Sequence, residues 1–288
     1  MKKNRIINII SNIFKTILPK NKIGDNIYSY IKFLFIHKRV PTNKKLFNDV
    51  LYKIKTTEEI DDALRAFVSD KEYLKIFVKS VIGDIYVVPT LAILKNAVDV
   101  NEYLFPEKCC IKPTHASGKV FLRSNNEKID YKEIKSWLQI KYYEYGRERN
   151  YKYLKPKIIV EPIVFDEKNP MDYKFYCYNG TPKIIQIDID RYINHTRLYY
   201  NMKWELLNFS IIYPKSHKTI DKPKNIIEMI DIATSLCKYF NFVRIDIYSN
   251  GEHCMVGEIT HCAENASGRF IPKKSELYMS KICFSNKL

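Results

Sequence analysis

Phe242-Val-Arg-Ile-Asp-Ile-Tyr-Ser-Asn-Gly-Glu-His-Cys-Met-Val-Gly-Glu-Ile-Thr260 is the stretch from which the fold is read. Val243, Ile245 and Ile247 alternate with Arg244, Asp246 and Tyr248, which is the period of a strand with one apolar face. After the turn signal Asn250-Gly251, a second run places Glu258 and Thr260 on one face and Ile259 on the other. If the runs pair as a hairpin, Arg244, Asp246 and Glu258 share a surface, and two hard carboxylates beside a guanidinium suit magnesium and phosphate oxygens. An amphipathic hairpin with a wet, salt-bridged face accounts for the same alternation without a ligand. Register separates the two. A two-residue turn at Asn250-Gly251 sets Asp246 opposite Met255 and sends Glu258 to the other face. Joint metal binding sets Asp246 opposite Glu258 and needs a wider loop, spanning Asn250 to Cys254. The wider loop is the expectation, because the rest of the chain supplies what a magnesium-nucleotide site needs.

A chain of 288 residues can bury a substantial core as one large domain or as two or three packed lobes. Its 46% apolar and 14% aromatic content argues for a globular protein and against disorder. The formal charge of +16 predicts attraction to polyanions, and its distribution is uneven. Residues 1–45 hold eleven Lys or Arg against the single acid Asp25. Residues 4–18 place Ile6, Ile7, Ile9, Ile10, Ile13, Phe14, Ile17 and Leu18 at helical spacing, and Pro19 ends the run. Two roles stay open for this basic segment: an amphipathic helix on an anionic membrane surface, or a helix packed on the body or on a partner. The seven cysteines form no Cys-x-x-Cys and no zinc spacing, which fits reduced thiols in a cytoplasmic protein. No apolar run spans a bilayer, and no signal-peptide cleavage site follows the N-terminus.

Along the chain, Asn26 to Phe35 and Thr56 to Lys79 read as helices, the second containing the helix-start signal Ser69-Asp70-Lys71. Tyr86 to Val88 resembles a short strand. Phe105 to Leu122 holds an apolar strand ending in Lys112, a small-residue loop His115-Ala116-Ser117-Gly118, and a second strand. Such a loop folds over phosphates, with backbone N–H groups and a lysine point charge. Its spacing matches neither a Walker loop nor a dinucleotide fingerprint. Tyr131 to Tyr145 reads as one helix, closing at Gly146-Arg147-Glu148. Lys157 to Val164 is a buried strand that Pro162 terminates. Asp172 to Tyr178 and Pro182 to Asp188 form a hairpin around Asn179-Gly180, followed by a charged loop with Asp188, Asp190, Arg191, His195 and Arg197. Ile226 to Phe240 is an amphipathic helix that leads into the opening hairpin.

Taken in order, these pieces resemble the ATP-grasp superfamily, and within it the TupA-like branch associated with teichuronopeptide and polysaccharide synthesis. The resemblance rests on Ser69-Asp70-Lys71, Ile111 to Gly118, Tyr145 to Glu148 and Lys157 to Pro162. It continues with Asp172 to Phe175, Gln186 to Asp188, Phe242 to Asp246 and Gly257 to Thr260, and covers roughly residues 25 to 280. It implies an α+β ATP-grasp fold in which two lobes with antiparallel sheets clasp ATP, preceded by a helical N-terminal segment. The expected divisions are a basic helical region at 1–84, a small lobe with the phosphate loop at 85–160, and a large lobe with the metal site at 161–288.

By the same resemblance, Lys71 and Lys112 contact ATP phosphates beneath Ser117-Gly118, and Glu161, Pro162 and Ile163 hold adenine at the hinge. Asp172 or Lys174 reaches the ribose or phosphates. Asp246 and Glu258 ligate Mg2+, and Arg244 stabilises the transferred phosphoryl group or the tetrahedral intermediate. Three departures stand out: Thr260 replaces the family's usual Asn, the loop after Lys112 has little glycine, and Ala263 to Gly268 replaces a glycine-rich segment.

The chemistry implied is phosphorylation of a carboxylate by ATP, followed by displacement of phosphate by an amine. It needs positioned charge rather than a covalent nucleophile, which suits a sequence without a Ser-His-Asp or Cys-His arrangement. The expected function is a carboxylate–amine ligase that joins an amino acid or other amine to a uronic acid during capsule or O-antigen polysaccharide synthesis. His115, Asp188, Arg191, His195 and Arg197 are the candidates for the acidic saccharide and amine substrates. The expected location is cytoplasmic, with residues 1–45 available for peripheral contact at the inner membrane face. A kinase-type ATP-grasp enzyme acting on a glycan or small-molecule hydroxyl is the first alternative, and a basic nucleic-acid-binding protein the second. No nucleic-acid partner is expected, because no aromatic–basic RNA motif, helix-turn-helix or zinc finger accompanies the charge.

Overall fold

The computed structural model describes residues 13–167, 170–191 and 193–285. Most of the expected helix at residues 4–18 lies outside them; residues 13–17 are helical. The hairpin Phe242–Thr260 forms one edge of a five-stranded antiparallel sheet. Its strands are β5 (Met171–Tyr178), β6 (Thr181–Ile189), β7 (Thr196–Asn201), β8 (Phe242–Ser249) and β9 (Cys254–Thr260), in the order β9-β8-β5-β6-β7. Strands β5 and β6 meet at Asn179-Gly180, whose φ values of 47° and 71° suit a two-residue primed turn.

Strand alternation divides this sheet into two faces. Phe175, Ile185, Ile187, Leu198, Val243, Ile245, Ile247 and Ile259 are buried on one face, against helices Lys71–Ile82 and Ile226–Cys237. On the opposite face, Tyr176, Ile184, Tyr199 and Phe242 pack with Phe47, Leu51 and Ile54 of helix Phe47–Thr56 and with Met279 and Cys283 of helix Ser275–Phe284. The rest of that face is polar.

A second antiparallel sheet is built from β1 (Ala92–Leu94), β4 (Ile158–Glu161), β2 (Cys109–Pro113) and β3 (Phe121–Arg123), in the order β1-β4-β2-β3. Ile111, Ile134, Trp137, Ile158 and Val160 form its core. The strand ending at Glu161 stops before Pro162, as expected of a residue that cannot donate to the ladder.

Several local expectations are corrected. The stretch Thr56 to Lys79 is not one helix: Asp62 caps Ala63–Ser69 and Asp70 caps Lys71–Ile82, each side chain accepting from backbone N–H groups of the turn it starts. Tyr131 to Tyr145 breaks into Tyr131–Trp137 and Tyr143–Gly146. The Ile140 carbonyl, which would continue that helix, instead faces His115 Nε2 at 3.1 Å. Asp84–Tyr86 is a 3-10 turn, with Val87 making only an isolated bridge to Val256. Asp188 and Arg197 belong to paired strands rather than to a loop.

The N-terminal segment, where described, packs on the body. Asp25 of helix Lys22–His37 and Arg147 form a fully buried ion pair at 2.9 Å, and the Tyr143 hydroxyl donates to Asp25 at 2.6 Å. His37 Nε2 lies 2.9 Å from the Ala266 carbonyl. Among the described residues, no helix is long and apolar enough to cross a membrane.

Candidate active site

Asp246 pairs directly with Glu258 across the hairpin. The loop supplies only part of the required offset: Cys254 pairs with Ser249, so the turn is Asn250 to His253. The remaining residue is a β-bulge at Gly257, where the register shifts between Val256 and Glu258. Glycine is required there, since a Cβ would stand 2.6 Å from Cε2 of the Tyr248 ring. The bulge turns Glu258 onto the face that already carries Arg244 and Asp246.

The ladder then aligns Glu258, Asp246, Lys174, Gln186 and Tyr199 in one row across the sheet. Arg244 grips Asp246 through Nε and Nη2, both at 2.7 Å, and donates to the Thr260 hydroxyl at 3.1 Å. Lys174 lies 3.3 Å from Asp246 and 3.8 Å from Asp188, and also bonds Asp172. Gln186 accepts from the hydroxyls of Tyr176 and Tyr199 and donates to Asp188. Burial alone would raise the Glu258 carboxyl, but Lys71, Arg244 and Ser117 hold it below its ordinary range. Burial likewise works against the Arg244 cation, yet Asp246 keeps it firmly protonated.

The second sheet and helix Lys71–Ile82 deliver cations to the same place. Asp70 accepts from the Thr114 hydroxyl at 3.0 Å and pairs with Lys157 at 3.1 Å, which fastens the helix start to the loop after β2. Lys71 consequently turns inward, and its ammonium donates to the Ala116 carbonyl at 2.7 Å. Burial lowers its affinity for the proton, with Lys112 adding to that and Glu258 opposing it. Ser117 donates to Glu258 at 3.0 Å and closes the loop onto the large sheet. Gly118 has a φ of 83° and open space around it. Lys112 pairs with Glu161 at 2.6 Å, and Lys75 takes the other carboxylate oxygen at 2.5 Å. Burial would lower the Lys112 ammonium, yet Glu161 holds it well above the usual lysine range.

The other sequence candidates are placed as follows. Pro162 and Ile163 are half-buried and continue directly from β4. Asp188 gathers His195 at 3.0 Å and Arg197 at 2.8 Å, and Arg197 also reaches Glu264 at 2.7 Å and lies over the Tyr213 ring. Burial would raise Asp188, but Lys174 and Arg197 depress it. Arg191 stands exposed at the turn before this cluster. His115, the first residue of the small-residue loop, is buried, with its ring nitrogen on the Ile140 carbonyl.

Four contributors were missed in the sequence. Lys75 was available as the i+4 neighbour of Lys71 on one helix face. Tyr248 alternates with Asp246, and burial raises its hydroxyl while Lys112 acts against it. Tyr142 and Tyr151 carried no local signal; their rings meet at 4.8 Å, and Tyr142 hydrogen-bonds Ser117. An open cleft of about 930 Å³ lies elsewhere, among Glu58, Glu59, Asp61, Asp62, Arg65 and Lys238. Its lining includes none of the candidate site residues, so converging chemistry rather than volume marks the site.

The donor set fits a hard divalent cation. Asp246 and Glu258 offer carboxylates from opposed positions on adjacent strands, and magnesium takes one or two protein carboxylates with phosphate oxygens and water. Thr260 is committed to Arg244. Among the described residues, no three His, Cys, Asp or Glu side chains form a metal-holding group, so a cation held by this pair would need further oxygens from a ligand or water.

The family model described as TupA-like ATPgrasp matches residues 50–282, most of the chain. No curated protein matches. Among solved structures, a D-alanine–D-alanine ligase from Bacillus anthracis complexed with ATP is 13% identical, covering 68% of this chain and 55% of its own, with a TM-score of 0.39. The D-alanine–D-alanine ligase from Helicobacter pylori is 12% identical over 77% of this chain and 60% of its own, with a TM-score of 0.41. An L-amino acid ligase from Bacillus licheniformis is 11% identical over 75% of this chain and 49% of its own, with a TM-score of 0.41. The chain spans little more than half the length of the solved structures it matches.

Proposed function

The chain belongs to the TupA-like ATP-grasp family, and from that premise we propose that it is an ATP-dependent carboxylate–amine ligase. It joins an amino acid or other amine to a uronic acid in surface-polysaccharide assembly. One observation carries this reading: Ser117, from the loop after β2 of the small sheet, and Lys71, at the start of helix Lys71–Ile82, come to Glu258, which stands opposite Asp246 on the large sheet. Lysines, carboxylates and an arginine thus converge from both sheets and from helix Lys71–Ile82. Acyl transfer through phosphate calls for such converging charge.

In the first step a carboxylate oxygen of the acid attacks the γ-phosphorus of ATP, and the bond to the bridging oxygen breaks to leave ADP. In the second, an amine attacks the acyl carbon, phosphate leaves with its bonding pair, and the amine loses a proton. Lys71 and Lys112 cancel phosphate charge, and Arg244 faces the developing oxyanion. Asp246 and Glu258 would hold Mg2+, which supplies charge neutralisation and alignment of the phosphates when bound. Glu161, Pro162 and Ile163 border the base, and Asp172 and Lys174 border the sugar or phosphates. The cluster of Asp188, Arg191, His195 and Arg197 is assigned to the acidic saccharide.

The test is release of ADP and phosphate from ATP and Mg2+ with panels of uronic acids and amino acids. Turnover is expected only when both a carboxylate and an amine are present. Nucleotide binding without any such turnover overturns the proposal, and phosphate retained on a product identifies kinase-type transfer instead.

A further inference from the structure

We propose that the outward faces of residues 13–17 and of helix Lys22–His37 form a docking surface for an anionic phospholipid bilayer. The inference goes beyond the ligase reading and does not depend on it. The helix has two faces of opposite use. Asp25, Tyr28, Ser29, Phe33 and His37 are buried, with Asp25 on Arg147 and His37 on the Ala266 carbonyl. Ile23, Ile27 and Tyr30, spaced i, i+4 and i+7, stand exposed on the other side, Ile23 at 70%. A surface helix of a globular protein places charged or polar side chains there. Here the stripe is apolar. Ile13 and Ile17 repeat the pattern one turn apart in the preceding helical residues, with Ile17 73% exposed.

Contacts with the body pin both stretches. Arg147 donates to the carbonyls of Lys15, Leu18 and Pro19 at 2.6, 2.9 and 2.9 Å. Gly24 closes the turn between them, since a Cβ there would stand 2.0 Å from the Pro19 carbonyl oxygen. Lys152 donates to the Lys20 carbonyl at 2.9 Å, which ties the segment to the neighbouring Tyr153, itself 83% exposed. The Lys15 ammonium lies 5.1 Å over the exposed Tyr145 ring, and that of Lys152 lies 5.3 Å over the Tyr153 ring. Isoleucines, tyrosines and lysines thus adjoin along one pinned segment.

Charge names the occupant. Asp25 is the only acid in residues 1–45, and Arg147 neutralises it inside the protein. Glu144 and Glu58 are each matched by a lysine of the segment, Lys20 and Lys22. Lys15, Lys38 and Lys152 add cations that rest over aromatic rings. The twelve residues before Ile13 bring three more cations, four isoleucines and no acid. A second copy of this chain would meet these cations with its own charge of +16. An anionic bilayer answers both the apolar and the basic features. Isoleucines enter the headgroup boundary, tyrosine rings sit at the interface, and lysine stems lie along the apolar surface with their ammonium groups on phosphates. The helix lies on the surface rather than crossing it, because among the described residues no helix is long and apolar enough to span a membrane.

Co-sedimentation of the full chain with vesicles tests this, using phosphatidylcholine alone and phosphatidylcholine with about one-third phosphatidylglycerol. Partition onto the anionic vesicles is expected to be at least about tenfold stronger, and to weaken as salt rises. Ile17→Ser combined with Ile23→Ser should lower it at least about tenfold with an unchanged melting midpoint, since both side chains are exposed. Tyr153→Ser, outside the segment, should lower it about threefold, and it decides the matter if the double variant melts early. No partition onto anionic vesicles overturns the proposal, as does equal partition onto neutral ones. Wild-type partition by the folded variants also overturns it and assigns the binding to charge elsewhere on the chain. A concentration-dependent dimer that the double variant abolishes, seen by sedimentation velocity without vesicle binding, overturns it in favour of self-association.

Discussion

Replacing Asp246 by Asn tests the opposed carboxylates most directly. Asp246 is only 4% exposed, takes two hydrogen bonds from Arg244 and stands 3.3 Å from the Lys174 ammonium. Asn keeps the shape and one acceptor oxygen. Arg244 keeps Thr260, and Lys174 keeps Asp172 and Asp188. What disappears is one buried negative charge between two cations. Stranding the partner of a buried ion pair costs about 3–5 kcal/mol. The retained partners reduce the expected loss to about 1–3 kcal/mol. At about 2–4 °C per kcal/mol, the melting midpoint falls by about 2–12 °C, so the protein stays folded at assay temperature. Turnover is expected to fall by at least about 100-fold, the scale for removing one preorganised electrostatic contact at a reacting centre. Phosphate release and thermal melting are measured on the same preparation. Near-wild-type turnover in a folded Asp246→Asn variant refutes the assignment of this carboxylate to the metal.

Gly257→Val forces a side chain into the Tyr248 ring and should cost about 1–3 kcal/mol by overpacking; an unchanged urea midpoint would show that the bulge is dispensable. Asp25→Asn leaves the buried Arg147 guanidinium short of a counter-charge and should cost about 3–5 kcal/mol, with faster amide exchange across Lys22–His37. Unaltered exchange there would show that the N-terminal helix docks by other means. Lys55, pushed down to about 8, gives a pH signature. Between that value and its ordinary 10.5, the unfolded chain holds the extra proton, so this residue's contribution to stability rises with pH. Lys55→Met should therefore stabilise most below pH 8, by on the order of 3 kcal/mol, and lose that advantage toward pH 10.5. A pH-independent difference in urea midpoints between the two proteins would contradict the burial of an under-compensated ammonium.

Much of the fold was legible because its signals are local. The alternation Val243-Arg244-Ile245-Asp246-Ile247 reports one buried face, and Asn179-Gly180 supplies the positive φ values of a tight hairpin. The order of Lys71, Lys112, Ser117, Glu161, Asp246 and Glu258 along the chain was enough to suggest which lobe carries which group. Local signals failed where a distant partner decides. His115 reads as a loop residue, yet its ring goes to the Ile140 carbonyl, in the break of the helix expected through Tyr131 to Tyr145. Asp188 and Arg197 read as loop charges, yet β6 and β7 pair them face to face.

By itself the sequence determined the apolar faces, the turns and the residue types available for charge chemistry, since each depends on neighbours within a few positions. Tertiary structure decided which charges meet. The Asp246–Glu258 register depends on a bulge at Gly257, and that bulge is shaped by the Tyr248 ring on the facing strand. A buried Asp25–Arg147 pair joins helix Lys22–His37 to the body across more than a hundred residues of chain, a contact that no local periodicity encodes.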